Sequence, residues 1–99
     1  HLRAEICSET LLDELAECLP APDRAEQEVE AAELARQISA FLRAQPEPAR
    51  SMFLRRYWYG DAIGEIAVRY GMPTGRVRVT LHRTRARLRQ ALEREGVTV

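Results

Sequence analysis

Ninety-nine residues suit one domain, since domains typically hold roughly 100–150 residues. No apolar run approaches the about 20 residues needed to cross a bilayer, and no secretory pattern is present, so a membrane role is not expected. The formal net charge of zero hides a division: residues 1–45 carry four arginines against ten acids, a balance of −6, and residues 46–99 carry eleven against five, a balance of +6. Such asymmetry gives one part of a chain an electrostatic footprint that its net charge conceals.

The sequence starts at His1 and its only methionines are Met52 and Met72, so it reads as a piece of something longer. Cys7 and Cys18 stand eleven apart with no CxxC pattern and no histidine at ligand spacing. They read as small residues on the inner side of a helix rather than as a disulfide or metal site.

A first short helix is expected from Ser8 or Thr10, either of which can cap its first turn, with Leu11, Leu12, Leu15 and Leu19 at helical spacing. Pro20-Ala21-Pro22 ends it. Alone it is too short to be stable, so it needs a surface for Leu11, Leu12 and Leu15. A second helix fits from Asp23 to about Ala44, with an apolar line of Ala31, Leu34, Ile38, Phe41 and Leu42. Pro46-Glu47-Pro48 breaks the chain again, and a third helix should run from about Pro48 to Tyr59 and stop at Gly60. Four of the six aromatics lie between Phe53 and Tyr59, which places the expected core there. That helix should bury Met52, Phe53 and part of Tyr57 or Trp58.

Asp61 can cap a short helix that carries Ile63, Ile66, Ala67 and Tyr70 on one side. Gly71 ends it, Met72-Pro73 turns the chain, and Thr74 can cap the last helix. Val77, Leu81, Leu88 and Leu92 form one stripe of that helix, with Thr84 between them and arginines on the other faces. No β-alternation of useful length and no internal repeat is visible. The fold class is therefore all-α, four to five helices with a C-terminal helix-turn-helix and no winged element.

The helix-turn-helix reading rests on Ala67, Gly71 and Val77, separated by four and six residues. A small residue lets the two helices approach, glycine permits a positive φ at the turn, and an apolar residue locks the second helix on the first. Ile63, Ile66 and Leu81 complete the expected core of the motif. Between Arg76 and Arg89 there are six arginines and no acid. Arg78, Val79, His82 and Arg83 form one outward face suited to base edges: arginine can bond guanine bidentately and valine can touch a thymine methyl. Arg76, Arg85, Arg87 and Arg89 suit phosphates or solvent. His82 has no cysteine or acid at ligand spacing in its helix, no nucleophile–base pair can be named, and no phosphate-cradling glycine loop is present. Neither catalysis nor a metal or cofactor is expected.

The stretch from Phe53 to Leu92 resembles region four of bacterial RNA polymerase sigma factors, most of all the extracytoplasmic-function type and its close relatives. The pieces that carry the resemblance are Trp58-Tyr59-Gly60, Glu65-Ile66-Ala67, and Gly75-Arg76-Val77 followed by Leu81-His82-Arg83. Residues 20–52 resemble the acidic linker and first helix of that region more loosely. The resemblance implies a four-helix domain, here residues 23–99 after a linker at 1–22, that reads the −35 promoter element in the major groove. It further implies docking on the β-subunit flap of core RNA polymerase through the helices around Phe41, Leu42 and Phe53, capture by an anti-sigma protein, and a cytoplasmic, nucleoid-associated location. Carried over by position, Arg78, Val79, His82 and Arg83 face bases, and Arg55, Arg56, Thr74, Arg76, Arg85 and Arg87 meet the DNA backbone. Val79 stands where the family more often has serine or another polar residue, and Thr80 where a basic residue is common. The domain that melts and reads the −10 element has no counterpart in these 99 residues.

Two other readings fit the residues: the helix-turn-helix of a response-regulator-type transcription factor, and an interaction module whose basic helix docks on an acidic protein surface. The acidic N-terminal half and the Leu81-His82-Arg83-Thr84-Arg85 run favour the sigma reading over the first.

Overall fold

The structure is a computed structural model that describes residues 14, 15 and 31–96. Beyond helical Glu14 and Leu15 it holds four helices: α1 (Ala31–Ala44), α2 (Ala49–Tyr57), α3 (Ile63–Tyr70) and α4 (Thr74–Arg94). No strand occurs among the described residues. The two cysteines and the expected start of the first helix lie outside them, as does the expected start of the second at Asp23.

The longest helix, α4, is the axis of the fold, and α1, α2 and α3 all pack against it. Its apolar stripe recurs at helical spacing, which puts Val77, Leu81, Thr84, Leu88 and Leu92 on one buried face. Thr84 is tolerated there because its hydroxyl donates to the Thr80 carbonyl at 2.9 Å, so no polar group is left unpaired.

Two apolar clusters hang on that stripe. Phe53, Leu88 and Leu92 meet half-buried Leu34, Ile38, Phe41 and Leu42 of α1, and Leu15 joins this group from the N-terminal side. Met52, Ile66, Ala67, Val77 and Leu81 form the second cluster, edged by Ile63, Tyr70 and Met72. Tyr57 borders both, its ring tilted against Phe53 at a centroid distance of 4.7 Å. The aromatic run is thus only partly a core: Trp58 is 74% exposed and Tyr59 49%. The reason is that α2 stops at Tyr57, and both Trp58 and Tyr59 turn their amides back to the Leu54 carbonyl, which carries their side chains past the helix's inner face.

Helix starts differ from the sequence expectation in one consistent way. Asp61 and Thr74 do not cap α3 and α4; the capping positions belong to Ala62 and Pro73, neither of which makes a side-chain cap. The start of α3 is closed from the other side, where Glu65 Oε1 accepts the Ala62 amide at 2.8 Å, half of a capping box. At α2 a carboxylate four residues upstream does similar work, with Glu47 Oε1 accepting the Ser51 amide at 3.1 Å. Glu47 also accepts from Arg50, whose Nη1 reaches the Arg43 carbonyl at 3.2 Å and so ties the end of α1 to the start of α2.

Candidate nucleic-acid interface

The turn between α3 and α4 is built by Gly71, at φ 64°. Its amide bonds the Val68 carbonyl at 3.3 Å and the next amide, of Met72, bonds Ala67 at 3.0 Å, a Schellman closure that needs the left-handed residue. Pro73 then sets an extended backbone, and α4 departs at an angle fixed by Val77 and Leu81, which are buried against Ile66 and Ala67. The short α3, a glycine turn and a locked second helix with an exposed outer face make a helix-turn-helix.

Because Val77, Leu81 and Thr84 face inward, the residues between them face out. Arg78, Val79, His82 and Arg83 are all exposed, on successive turns of the N-terminal half of α4. Val79, at 47% exposure, is an apolar side chain left in water between arginines. Among the described residues, Arg76, Arg78, Arg83 and Arg87 make no ion pair, so their charge is not spent inside the fold. Thr74 is exposed at the first turn of α4, beside the positive end of the helix dipole. Arg89 is exposed and pairs with Glu93 at 3.3 Å.

Three arginines expected on the DNA backbone are placed differently. Arg55 pairs with buried Asp61 at 3.7 Å and stacks over the Tyr59 ring at 5.1 Å. Arg56 and Arg85 keep only 11% and 13% of their side chains exposed. Arg56 donates to Glu14 Oε2 at 2.8 Å and to the Asp61 carbonyl at 3.1 Å. Arg85 donates to the Tyr57 hydroxyl at 2.6 Å, and that hydroxyl donates to Glu14 Oε1 at 2.6 Å. Both arginines turn inward because a carboxylate and a phenol wait for them between α2 and α4. Burial alone would raise the Glu14 pKa, but hydrogen bonds from Arg56 and Tyr57 and the charges of Arg56 and Arg85 together hold it below its ordinary value. Burial, and then donation to Glu14, push the Tyr57 hydroxyl up and keep it protonated.

Glu14 is the residue that sequence reasoning missed. It is one of nine acids in residues 1–30, and nothing local marks it as a partner for residues about forty and seventy positions away. Arg85 did carry a signal: it stands four residues after Leu81 and three before Leu88, on the edge of the buried stripe. Among the described residues no group of three or more metal-ligating side chains comes together, and no helix is long and apolar enough to cross a membrane.

Comparison with curated proteins and with solved structures gave no match. A family model did match: residues 46–90 fit Sigma-70, region 4, the segment that holds α2, α3 and most of α4. Residues 46–90, which carry the helix-turn-helix and the exposed arginine face of α4, match region 4 of the sigma factors, the part of those proteins that binds DNA at the −35 promoter element and binds core RNA polymerase.

Proposed function

We propose that the N-terminal half of α4 enters the major groove and reads the −35 element through Arg78, Val79, His82 and Arg83. The observation that carries this reading is their exposure as one face, directly opposite the buried stripe of Val77, Leu81 and Thr84. Arginine at 78 or 83 supplies the two parallel donors that match guanine O6 and N7, and Val79 supplies a surface for a thymine methyl. Arg76, Arg87 and Thr74, at the edge and start of the helix, hold phosphates and fix register without reading sequence. Residues 23–99 are the proposed extent of the domain, in a protein of the extracytoplasmic-function type working at the nucleoid.

Docking on the polymerase flap, and capture by an anti-sigma protein, fall to a different surface in this reading. Phe53 is buried and Phe41 and Leu42 lie half-buried against the end of α4, so they serve the core first. Leu54 and Trp58 at the end of α2, and Val68 at 83% exposure on α3, are apolar side chains in water with no core role. They suit a protein partner better than a phosphate backbone.

The test is selection of bound duplexes from a random pool, followed by fluorescence anisotropy on the enriched duplex at several salt concentrations. One enriched motif with a steep salt slope supports base reading by α4. Salt-sensitive binding with no enriched motif reduces α4 to a phosphate binder, and no binding at low salt overturns the reading.

A further inference from the structure

We infer that Val79 reads the C5-methyl group of a pyrimidine, so that 5-methylcytosine is accepted where thymine is, and cytosine methylation at that position tightens binding. The inference rests on α4 being the helix that reads bases.

The middle line of the outward face of α4 carries no hydrogen-bonding side chain. Val79 stands directly across the helix from the buried Val77, Leu81 and Thr84. Gly75, four residues before it, and Ala86, seven after it, fall on the same line, and all three are exposed. Polar side chains border that line, Arg78 and His82 on one side and Arg76 and Arg83 on the other. Val79 belongs to neither apolar cluster and is 47% exposed, so packing within the fold does not account for its hydrocarbon. One turn earlier, nothing lies within 4 Å of where a Gly75 Cβ would stand, so a base edge can come close to the backbone beside Val79.

Base chemistry narrows what Val79 can meet. Along the major-groove edges of unmodified DNA the distinctive apolar group is the thymine C5-methyl, among donors and acceptors. 5-Methylcytosine carries the same methyl on the same ring carbon. The side chains around Val79 suit a methylated cytosine paired with guanine better than a thymine paired with adenine. Arginine matches guanine O6 and N7, whereas asparagine and glutamine, which match adenine, do not occur between Thr74 and Arg89. No acid occurs between Arg76 and Arg89, so this stretch has no carboxylate to accept from the cytosine amino group. On such a face the methyl is what marks the pyrimidine. One methyl buried against Val79 corresponds to about four-fold in affinity.

The test measures anisotropy of the full 99-residue chain on the duplex enriched by selection, varied one pyrimidine at a time. Each position is made with and without the methyl: thymine against deoxyuridine opposite adenine, and 5-methylcytosine against cytosine opposite guanine. Pairing is unchanged within each comparison, so the ratio isolates the methyl. At one position the methylated base of both comparisons should bind about four-fold tighter, and in Val79→Ser both ratios should fall to one. Val79 is exposed and outside both clusters, so the serine variant should keep its melting temperature. No responding position, or a response that persists in Val79→Ser, overturns the inference and leaves base reading by α4 intact. A response to the thymine methyl with none to 5-methylcytosine at the same position overturns it as well. Absence of any enriched motif overturns the base reading and this inference with it.

Discussion

The Tyr57 hydroxyl stands between Arg85 of α4 and Glu14, accepting from the first and donating to the second, both at 2.6 Å. It serves both signs of charge, and its ring borders both apolar clusters. Tyr57→Phe keeps the ring and removes the bridge. The expected loss is about 1–2 kcal/mol of stability, because Arg85 is left buried with one acceptor fewer. Chemical denaturation of the two proteins checks it, and an unchanged midpoint would mean that water replaces the hydroxyl at no cost.

Gly71 closes α3 at φ 64°, and a Cβ added there meets nothing within 4 Å. Any cost of Gly71→Ala is therefore backbone strain alone, about 1–2 kcal/mol. Gly71→Asn should cost less, since asparagine visits the left-handed region more readily. Thermal melts of both variants give the order, and an alanine variant at least as stable as the asparagine one would show that the turn has relaxed.

Arg78→Ala and Leu81→Ala are neighbours in sequence with opposite expected signatures. Arg78 is exposed and makes no ion pair among the described residues, so its loss should leave the melting temperature unchanged. In the selection experiment it should relax discrimination at one base pair by about 1–3 kcal/mol. Leu81 is 1% exposed in the second cluster, so its truncation should cost about 2–5 kcal/mol of stability and weaken DNA binding only through unfolding. A melting temperature lowered equally by both would remove Arg78 from the reading face.

Acid should loosen the cluster between α2 and α4. The Glu14 pKa is lowered in the folded protein, so its contribution is fully present above the ordinary value of 4.5 and is lost as pH falls through the folded value. Glu33 on α1, held to about 2 by hydrogen bonds from Arg36 and Gln37, loses its contribution only further down. Stability followed by circular dichroism should begin to fall below about pH 4.5, and Glu14→Gln should flatten the upper part of that fall. An identical pH profile for Glu14→Gln would show that the ion cluster does not hold the fold.

Among the described residues, the sequence by itself determined the four helices, their order and the turn. Val77, Leu81, Leu88 and Leu92 recur with the helical period whatever they pack against, and Gly71 is legible because few other residues accept a positive φ. The outward face of Arg78, Val79, His82 and Arg83 follows from the same arithmetic, as the complement of the buried stripe. Helix starts were less legible, since Asp61 and Thr74 are good caps in isolation, yet Glu65 closes α3 from inside the helix.

Only the tertiary structure decided what each arginine does. The helical period sets Arg85 at the edge of the core stripe, but only packing brings it to the Tyr57 hydroxyl while Arg83 and Arg87 stand in water. Arg56 likewise turns inward because Glu14 arrives from far along the chain. Charge counts are a property of the chain and survive any fold. Charge partners depend on distance, since an ion pair is strong only at a few ångströms in a half-buried site, and distance between remote residues exists only once α2 and α4 have packed.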